Sequence, residues 1–199
     1  NSDHISLASA RRLFTSEAEA LAALGNHDQI PRLLAHFEEN EQFYLAQELI
    51  QGELLSEEIR SGVCLTETQT IEIIQDVLTT LCTVHEHGVI HRDIKPSNLI
   101  RRQCDRKIVL IDFGAVKQVS NQLVSEATPH SMTVIIGSLG YMPNEQIAGH
   151  PCLSSDIYAV GILALQALTG RDPKRIPKDP STSELMWREL VSIRPELAN

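Results

Sequence analysis

The sequence feature that most constrains the fold is an apolar run near the C-terminal end, IYAVGILALQAL at residues 157–168. Apolar side chains cover nearly every side of a helix built on this run, and a helix without a polar face belongs in the centre of a core. Ser154 or Ser155 is the candidate N-cap and Gly170 the candidate stop. The run is too short to cross a bilayer, which takes about 20 residues. We therefore predict a core organised around this helix.

The first fifty residues combine one helix with strands. Leucines spaced among alanines predict a helix over 8–24, which Gly25 ends. Two short apolar runs, at 30–37 and 42–50, then predict an antiparallel hairpin, with the polar turn Glu38-Glu39-Asn40 between them.

After the hairpin the sequence changes to a helical pattern. Residues Gln51-Gly52-Glu53 predict a hinge at the change. Thr66 and Gln69 form a T-x-x-Q capping box, which predicts the start of a long amphipathic helix. Gly88 follows the last apolar position of that pattern and predicts its end.

The remaining segments complete a two-lobed interpretation. The run IVLI at 108–111 predicts a buried strand, and the Ser- and Thr-rich stretch 118–138 predicts a loop. The tail after Asp172 contains four prolines, and we predict that it is irregular until residues 183–191. The sequence therefore predicts an α+β fold with a small, partly stranded lobe over 1–50 and a larger, mainly helical lobe over 51–199.

Composition narrows the classes of partner. The formal net charge is −9, spread along the chain, so nothing in it favours nucleic acid or an anionic membrane surface. Cys64, Cys82, Cys104 and Cys152 form no CxxC pair, which disfavours a zinc site or a disulfide framework and favours reduced thiols in the cytoplasm. The first residue is asparagine, and we expect the chain to be a piece of a longer protein.

Four motifs carry the chemistry: HRDIKPSN at 91–98, IDFG at 111–114, GSLGYMPNEQ at 137–146 and SDIYAVG at 155–161. In this order they resemble the protein kinase family, and details such as YMPNEQ and DFGAVKQ resemble its cyanobacterial serine/threonine members. The resemblance implies the two-lobed kinase fold, present from the third helix of the small lobe to the middle of the helical lobe. It also implies ATP and a protein serine or threonine as substrates.

For the central motifs the resemblance implies roles that phosphoryl transfer explains. Catalysis of this reaction is mainly positioning and neutralisation of phosphate charge. Asp93 would accept the proton of the substrate hydroxyl, and Lys95 would contact the transferred phosphate of ATP as a point charge. Asn98 and Asp112 would offer oxygen ligands to Mg²⁺, with Mn²⁺ as an alternative ion. Taken singly, these residues also fit an ordinary polar turn.

The resemblance also assigns the adenine site. Glu48 and Ile50 match backbone positions that meet the adenine edge, and Gln47 matches the residue that guards the pocket. Ile100 matches the apolar floor of the pocket. Glu53 matches a ribose contact, although a solvated acidic side chain is an equal interpretation.

Other positions match residues that support the site: Glu17, His91, Arg92, Phe113, Gly114, Glu145 and Asp156. Of these, His91 and Phe113 match a stacked apolar column that includes Leu21 and Leu33. Asp156 matches the carboxylate that ties down the catalytic loop.

Arg92 precedes the catalytic aspartate, as in kinases that a phosphate on the activation loop switches on. Thr133 is our first candidate for that phosphate. The alternatives are Ser120, Ser125, Thr128 and Ser131.

Two parts of an active kinase are missing from the 199 residues. No G-x-G-x-x-G occurs, and Lys95 is the first lysine, so Glu17 has no upstream lysine to pair with. We expect a fragment of an active kinase that is inactive by itself. The alternative is a pseudokinase that binds partners or nucleotide without transfer; an aminoglycoside-type small-molecule kinase is disfavoured by Lys95 and by SDIYAVG.

Overall fold

The computed structural model describes residues 7–114, 116–118, 137–182 and 184–194. The helices are α1 (Leu7–Leu24), α2 (Leu55–Glu58), α3 (Glu67–Glu86), α4 (Asn144–Ile147) and α5 (Leu153–Thr169). The strands are β1 (Leu33–Glu39), β2 (Gln42–Gln47), β3 (Gly52–Leu54), β4 (Val89–Ile90), β5 (Leu99–Arg102), β6 (Ile108–Leu110) and β7 (Lys117–Gln118). Short 3-10 turns cover Pro96–Asn98, Pro173–Arg175 and Arg188–Leu190. Helices and short antiparallel strand pairs together confirm the α+β class.

Helix α1 packs against the β1–β2 hairpin, and both elements confirm the sequence prediction. Phe14 of α1 contacts Phe43 of β2, with ring centroids 5.2 Å apart. Arg11 donates from Nε to Glu38 Oε2 at 2.8 Å and from Nη2 to the other carboxylate oxygen at 2.5 Å. The apolar contact and the ion pair fix the helix across the hairpin.

The predicted position of the hairpin turn is right for Asn40 and wrong for the two glutamates. Both glutamates assigned to it belong to β1, and the chain reverses at Asn40 and Glu41, whose φ angles are 52° and 61°. A two-residue turn with positive φ at both positions matches the twist of paired strands, and asparagine tolerates this conformation well. The strands are also shorter than predicted, since β1 begins at Leu33 and β2 ends at Gln47.

The predicted hinge at residues 51–53 is also wrong in part, because Gly52 and Glu53 belong to strand β3. Gly52 pairs with Arg102 on β5, and β5 pairs with β6 in a three-stranded antiparallel sheet. A Cβ on Gly52 would lie 2.3 Å from the carbonyl oxygen of Arg101 and 2.7 Å from Ile100 Cγ2. Only glycine permits this close approach of the two strands.

Helix α3 confirms both predicted ends. Thr66 Oγ1 accepts from the Gln69 N–H at 3.2 Å, and the Gln69 side chain accepts from the Thr66 N–H at 2.9 Å. Gly88 follows the helix with a φ of 69°. The predicted buried strand is confirmed as β6, whose three residues are all buried. The Ile108 N–H donates to Asp76 of α3 at 3.0 Å, so helix and sheet are joined by a polar contact as well.

Helix α5 differs from its prediction in two ways. Its N-cap is Cys152, whereas Ser154 and Ser155 lie inside the first turn; Ser155 Oγ accepts from the Cys152 N–H at 3.1 Å. Its buried face includes Val160 and Leu163, but Leu153, Ile157 and Tyr158 on the same helix are at least 40% exposed. The prediction of a helix buried on all sides is therefore wrong for one face of α5 in the described part of the chain.

The tail after α5 is short turns rather than extended secondary structure. Gly170 ends α5 with a φ of 62°, as predicted. The 3-10 turn Pro173–Arg175 follows, and a β-bridge joins Lys178 to Leu185. Arg194 then donates to Glu67 at the start of α3, with Nε 2.6 Å from Oε1. Across the described ranges, none of the helices is both long and apolar enough to cross a membrane.

Candidate active site

The segment 91–98 places three polar side chains of the HRDIKPSN motif within hydrogen-bonding distance of each other. Lys95 Nζ lies 2.6 Å from Asp93 Oδ2, and Asn98 Nδ2 lies 2.9 Å from the same oxygen. Asn98 Nδ2 also donates to the Asp93 backbone carbonyl at 2.9 Å. The 3-10 turn Pro96–Asn98 brings Asn98 back toward Asp93, which explains the five-residue spacing.

The two carboxylate oxygens of Asp93 differ in their hydrogen bonds: Oδ2 accepts from Lys95 and Asn98, whereas Oδ1 accepts from no donor among the described residues. Burial pushes the pKa of Asp93 upward, but the hydrogen bonds from Lys95 and Asn98 and the Lys95 charge act in the opposite direction, and the pKa is lowered. Its Oδ1 is buried and hydrogen-bonds no atom of the described residues. A buried, ionised oxygen without a donor carries a free-energy cost. It is therefore an unsatisfied acceptor inside the site.

The backbone of the same loop is held by Asp156 in the first turn of α5. This carboxylate is fully buried, and it accepts from the N–H groups of His91 and Arg92 at 2.9 and 2.8 Å. His85 Nε2 lies 2.8 Å from Asp156 Oδ2. Arg92 has a φ of 67°, which costs free energy in a residue with a side chain. The hydrogen bonds to Asp156 hold the chain in this unfavourable conformation.

His91 and Phe113 form an aromatic contact beneath the loop. Their rings meet edge to face with centroids 4.8 Å apart, and both residues are fully buried. Burial lowers the pKa of His91, against the charges of Asp156, Asp93 and Asp112. Leu21 is buried in the same apolar cluster as Phe113, and Leu33 packs against that cluster. The contact between His91 and Phe113 and the shared core of Leu21, Leu33 and Phe113 are compatible with the column that the resemblance implies, which stays a prediction.

Arg92 connects the loop to the segment that follows IDFG. Its Nη2 donates to the Val116 carbonyl at 2.7 Å, while its Nε is buried and hydrogen-bonds no acceptor among the described residues. Burial lowers its pKa to about 10, assisted by the charge of Arg12 and opposed by Asp156. Thr133 and the alternative phosphosites lie outside the described residues.

Asn98 and Asp112 offer the oxygen atoms that a divalent cation would need. The Asn98 nitrogen serves Asp93, so its side-chain oxygen remains for a ligand. Asp112 is exposed, and its Oδ1 accepts from the Gly114 N–H at 3.3 Å. The described residues contain no cluster of three His, Cys, Asp or Glu suited to a metal. Two protein oxygens fit Mg²⁺, which usually keeps several waters and binds substrate phosphates.

Glu17 of α1 lies near Asp112. Burial raises its pKa, and the nearby charge of Asp112 raises it further. A Cβ on Gly114 would lie 3.4 Å from Glu17 Oε2, so the glycine lets the two segments approach closely. No lysine or arginine within the described ranges forms an ion pair with Glu17.

The proposed adenine residues lie on the connection from β2 to β3 and on the strand beside it. The Glu48 N–H donates to the Arg32 carbonyl at 2.9 Å, which holds the connection. Ile50 is partly buried, whereas Glu53 is exposed on β3. Ile100 lies on β5 opposite Leu54, and its Cγ2 lies against Gly52, the first residue of β3 after the connection.

The GSLGYMPNEQ segment packs on the 91–98 loop. Ser138 Oγ accepts from Lys95 Nζ at 2.8 Å, and Gln146 donates to the Arg92 carbonyl at 2.6 Å. Glu145 accepts from Ser155 Oγ of α5 at 2.9 Å. These contacts join the segment to both the loop and the helix that anchors the loop.

Sequence reasoning missed three residues of this network: His85, Gln146 and Gln29. Gln29 is buried, and its side chain donates to the Ile108 carbonyl at 2.8 Å, which ties the segment after α1 to β6. His85 hydrogen-bonds Asp156, and Gln146 donates to the Arg92 carbonyl of the 91–98 loop. His85 and Gln29 resemble ordinary solvated residues in the sequence and gave no signal, whereas Gln146 closes the GSLGYMPNEQ motif without its own role being assigned.

Comparison with known proteins agrees with this geometry. The family model described as the protein kinase domain matches residues 3–197. Serine/threonine-protein kinase B of Synechocystis sp. is 43% identical over 192 residues, which cover 95% of this chain and 33% of that protein. Serine/threonine-protein kinase PknA of Nostoc sp. is 41% identical over 187 residues, covering 93% of this chain and 33% of that protein.

More distant similarity extends to Serine/threonine-protein kinase PrkC of Bacillus subtilis, 31% identical over 163 residues, which cover 81% of this chain and 24% of that protein. The chain spans about a third of the length of the first two relatives. Members of the family generally use ATP and Mg²⁺, and their domain implies a protein substrate. The resemblance drawn from the four motifs is confirmed: the chain belongs to the serine/threonine protein kinase family.

Proposed function

We propose that this chain carries the catalytic loop of a serine/threonine protein kinase that transfers the γ-phosphoryl group of ATP to a protein hydroxyl. The observation that carries the proposal is the state of Asp93. Lys95 and Asn98 hold its Oδ2, while its Oδ1 is buried without a donor among the described residues. Once substrate binding uncovers Oδ1, a hydroxyl group that donates to it would satisfy this atom and lie oriented for attack.

The other residues take roles that follow from their positions. Lys95 joins Asp93 to Ser138, so its ammonium lies where the hydroxyl and the transferred phosphate would meet. Asn98 and Asp112 would hold Mg²⁺, which neutralises phosphate charge when it is bound. Ile100 and the 48–50 connection would receive the adenine. Asp156 acts through the loop backbone and is a positioning residue.

Replacement of Asp93 by asparagine tests the proposal. In the natural full-length protein with MgATP and a serine-containing protein substrate, we expect Asp93→Asn to lower kcat by about 100-fold or more, the usual contribution of a general base. Asp105→Asn is the matched control, because Asp105 lies at the surface in an ion pair with Arg102. Asp93→Asn with the wild-type rate would refute the proposed role.

The same experiment separates the kinase from a pseudokinase. The alternative that the sequence leaves open is a binding module without transfer, whereas the names of the relatives favour transfer. If the natural protein binds MgATP in calorimetry but transfers no phosphate, both as wild type and as the Asp93→Asn variant, the pseudokinase is established instead.

A further inference from the structure

The segment 171–178, here called the basic loop, concentrates positive charge in a chain whose net charge is −9. Its sequence is RDPKRIPK, and four of its side chains are basic: Arg171, Lys174, Arg175 and Lys178. All four are exposed. None of them forms an ion pair with an acidic residue in the described part of the chain, whereas Arg11, Arg101, Arg102 and Lys107 each do.

The two acidic residues next to these cations are engaged elsewhere. Asp172 Oδ1 accepts from the Lys174 backbone N–H at 2.9 Å and caps the 3-10 turn. Asp179 Oδ1 accepts from the backbone of Ser181 and Thr182 at 2.7 and 3.0 Å, and a bond from the Ser181 hydroxyl together with these two lowers its pKa. Neither carboxylate forms an ion pair with a cation of the basic loop within the described ranges.

The basic loop is also held in a fixed shape. Pro173 and Ile176 are buried, so two apolar side chains anchor the loop while its charges point outward. The Arg175 N–H donates to the Asp172 carbonyl at 2.8 Å, and the Met186 N–H donates to the Pro177 carbonyl at 2.7 Å. A loop with a fixed backbone loses less conformational entropy on binding than a flexible segment does.

This loop lies beside the segment that faces the proposed acceptor. A Cβ on Gly140 would lie 3.3 Å from Lys174 Cγ and 3.7 Å from Lys174 Cε, so the lysine stem covers Gly140. Gly140 is two residues from Ser138, which contacts Lys95 at 2.8 Å. Two residues span at most about 7 Å, and a peptide of four extended residues spans about 13 Å. The Lys174 ammonium is therefore within reach of side chains up to about four residues from an acceptor hydroxyl at Asp93.

We propose that the basic loop selects protein substrates that carry acidic residues within about four positions of the phosphorylated serine or threonine, on the side that passes Gly140. This inference rests on the proposed function for the position of the acceptor. Exposed charge pairs are individually weak, so each basic side chain is expected to contribute about 1.5- to fivefold to the preference. Lys174 is the central contact, because it is the cation that lies against Gly140.

The test measures binding of fluorescein-labelled peptides to the natural full-length protein without ATP, by anisotropy. Three peptides are compared, each with one central serine. The first carries three aspartates before the serine, the second carries three aspartates after it, and the neutral third carries asparagines in place of the aspartates. We expect one of the two acidic peptides to bind at least about fivefold more tightly than the neutral one at low salt. The preference should weaken in about 0.5 M salt, where charge interactions at a surface are screened.

Substitutions then locate the preference. Lys174→Gln should reduce the acidic-to-neutral ratio by about 1.5- to fivefold, and the triple change Lys174→Gln, Arg175→Gln, Lys178→Gln should bring it close to one. Arg106→Gln is the matched control, because it removes one exposed charge on the β5–β6 turn and should leave the ratio unchanged. Unchanged unfolding midpoints show that each variant folds.

The outcomes separate this inference from the proposed function. A wild-type ratio of one, or a ratio that survives the triple change, overturns the role of the basic loop even if the protein is an active kinase. If the preference for acidic peptides is lost in the variants, the role of the basic loop is supported even where no phosphate is transferred. A lack of phosphate transfer would count against the proposed function alone. Tighter binding of a single-stranded oligonucleotide of equal charge through the same residues would also overturn it.

Discussion

Replacement of Asp156 by asparagine tests how strongly α5 holds the catalytic loop. The carboxylate has no exposed surface and receives three donors: the backbone N–H groups of His91 and Arg92, and His85 Nε2. Hydrogen bonds to a charged group contribute about 1.5–3 kcal/mol each, but not additively. Asparagine keeps one acceptor oxygen and turns an NH₂ group toward the remaining donor. We therefore expect the free energy of unfolding to fall by about 2–4 kcal/mol.

Urea unfolding followed by circular dichroism measures this change. With a slope of about 2 kcal/mol per molar urea, the midpoint should fall by about 1–2 M. Hydrogen exchange at the His91 and Arg92 amides should accelerate more than exchange in α3, because these amides lose their acceptor directly. Asp105→Asn, in a surface ion pair, should shift the midpoint far less. A loss below about 1 kcal/mol with unchanged exchange would refute the proposed anchoring role of Asp156.

Two further predictions concern two glycine positions and the partly buried carboxyl group of Glu17. Gly52→Ala should destabilise the protein by about 1–3 kcal/mol, because the added methyl group meets the Arg101 carbonyl. Gly161→Ala places its methyl group in open space on α5 and should stabilise the protein by about 0.5–1 kcal/mol. Thermal unfolding of both variants measures the two changes. Equal effects of the two would contradict the strand contact. Burial and the charge of Asp112 raise the folded-state pKa of Glu17 above 4.5. Stability is therefore lost as the pH rises from about 4.5 to the raised pKa of the folded state. Glu17→Gln should therefore be more stable than wild type at about pH 7 and no more stable below about pH 4.5; a constant difference across pH would contradict this.

The catalytic loop was predictable because its chemistry is local in sequence. Asp93, Lys95 and Asn98 lie within six residues, so one turn suffices to bring their side chains together. The capping box at Thr66 is confirmed for the same reason, since both of its hydrogen bonds join residues three apart. Local spacing determines such contacts before any tertiary structure is known.

Contacts between distant segments were the ones that sequence reasoning lost. Strand β3 has three residues, and it pairs with a strand almost fifty residues later, so Gly52 resembled a hinge. The N-cap of α5 is Cys152 rather than a serine, because Ser155 donates to Glu145 and accepts from the Cys152 N–H. In both cases tertiary neighbours decided the role of a residue whose local preference pointed elsewhere.

The charges of the described site fall on two flanks, and this division sharpens the proposed substrate preference. Glu17, Asp93 and Asp112 form one flank, where Lys95 is paired with Asp93 alone. The cations of the basic loop, which form no ion pair with the described residues, make up the other flank, beside Gly140. Acidic residues of a peptide would be attracted by the second flank and repelled by the first. The gain in affinity should therefore depend on which side of the serine carries the aspartates, and equal gains from both sides would indicate nonspecific attraction.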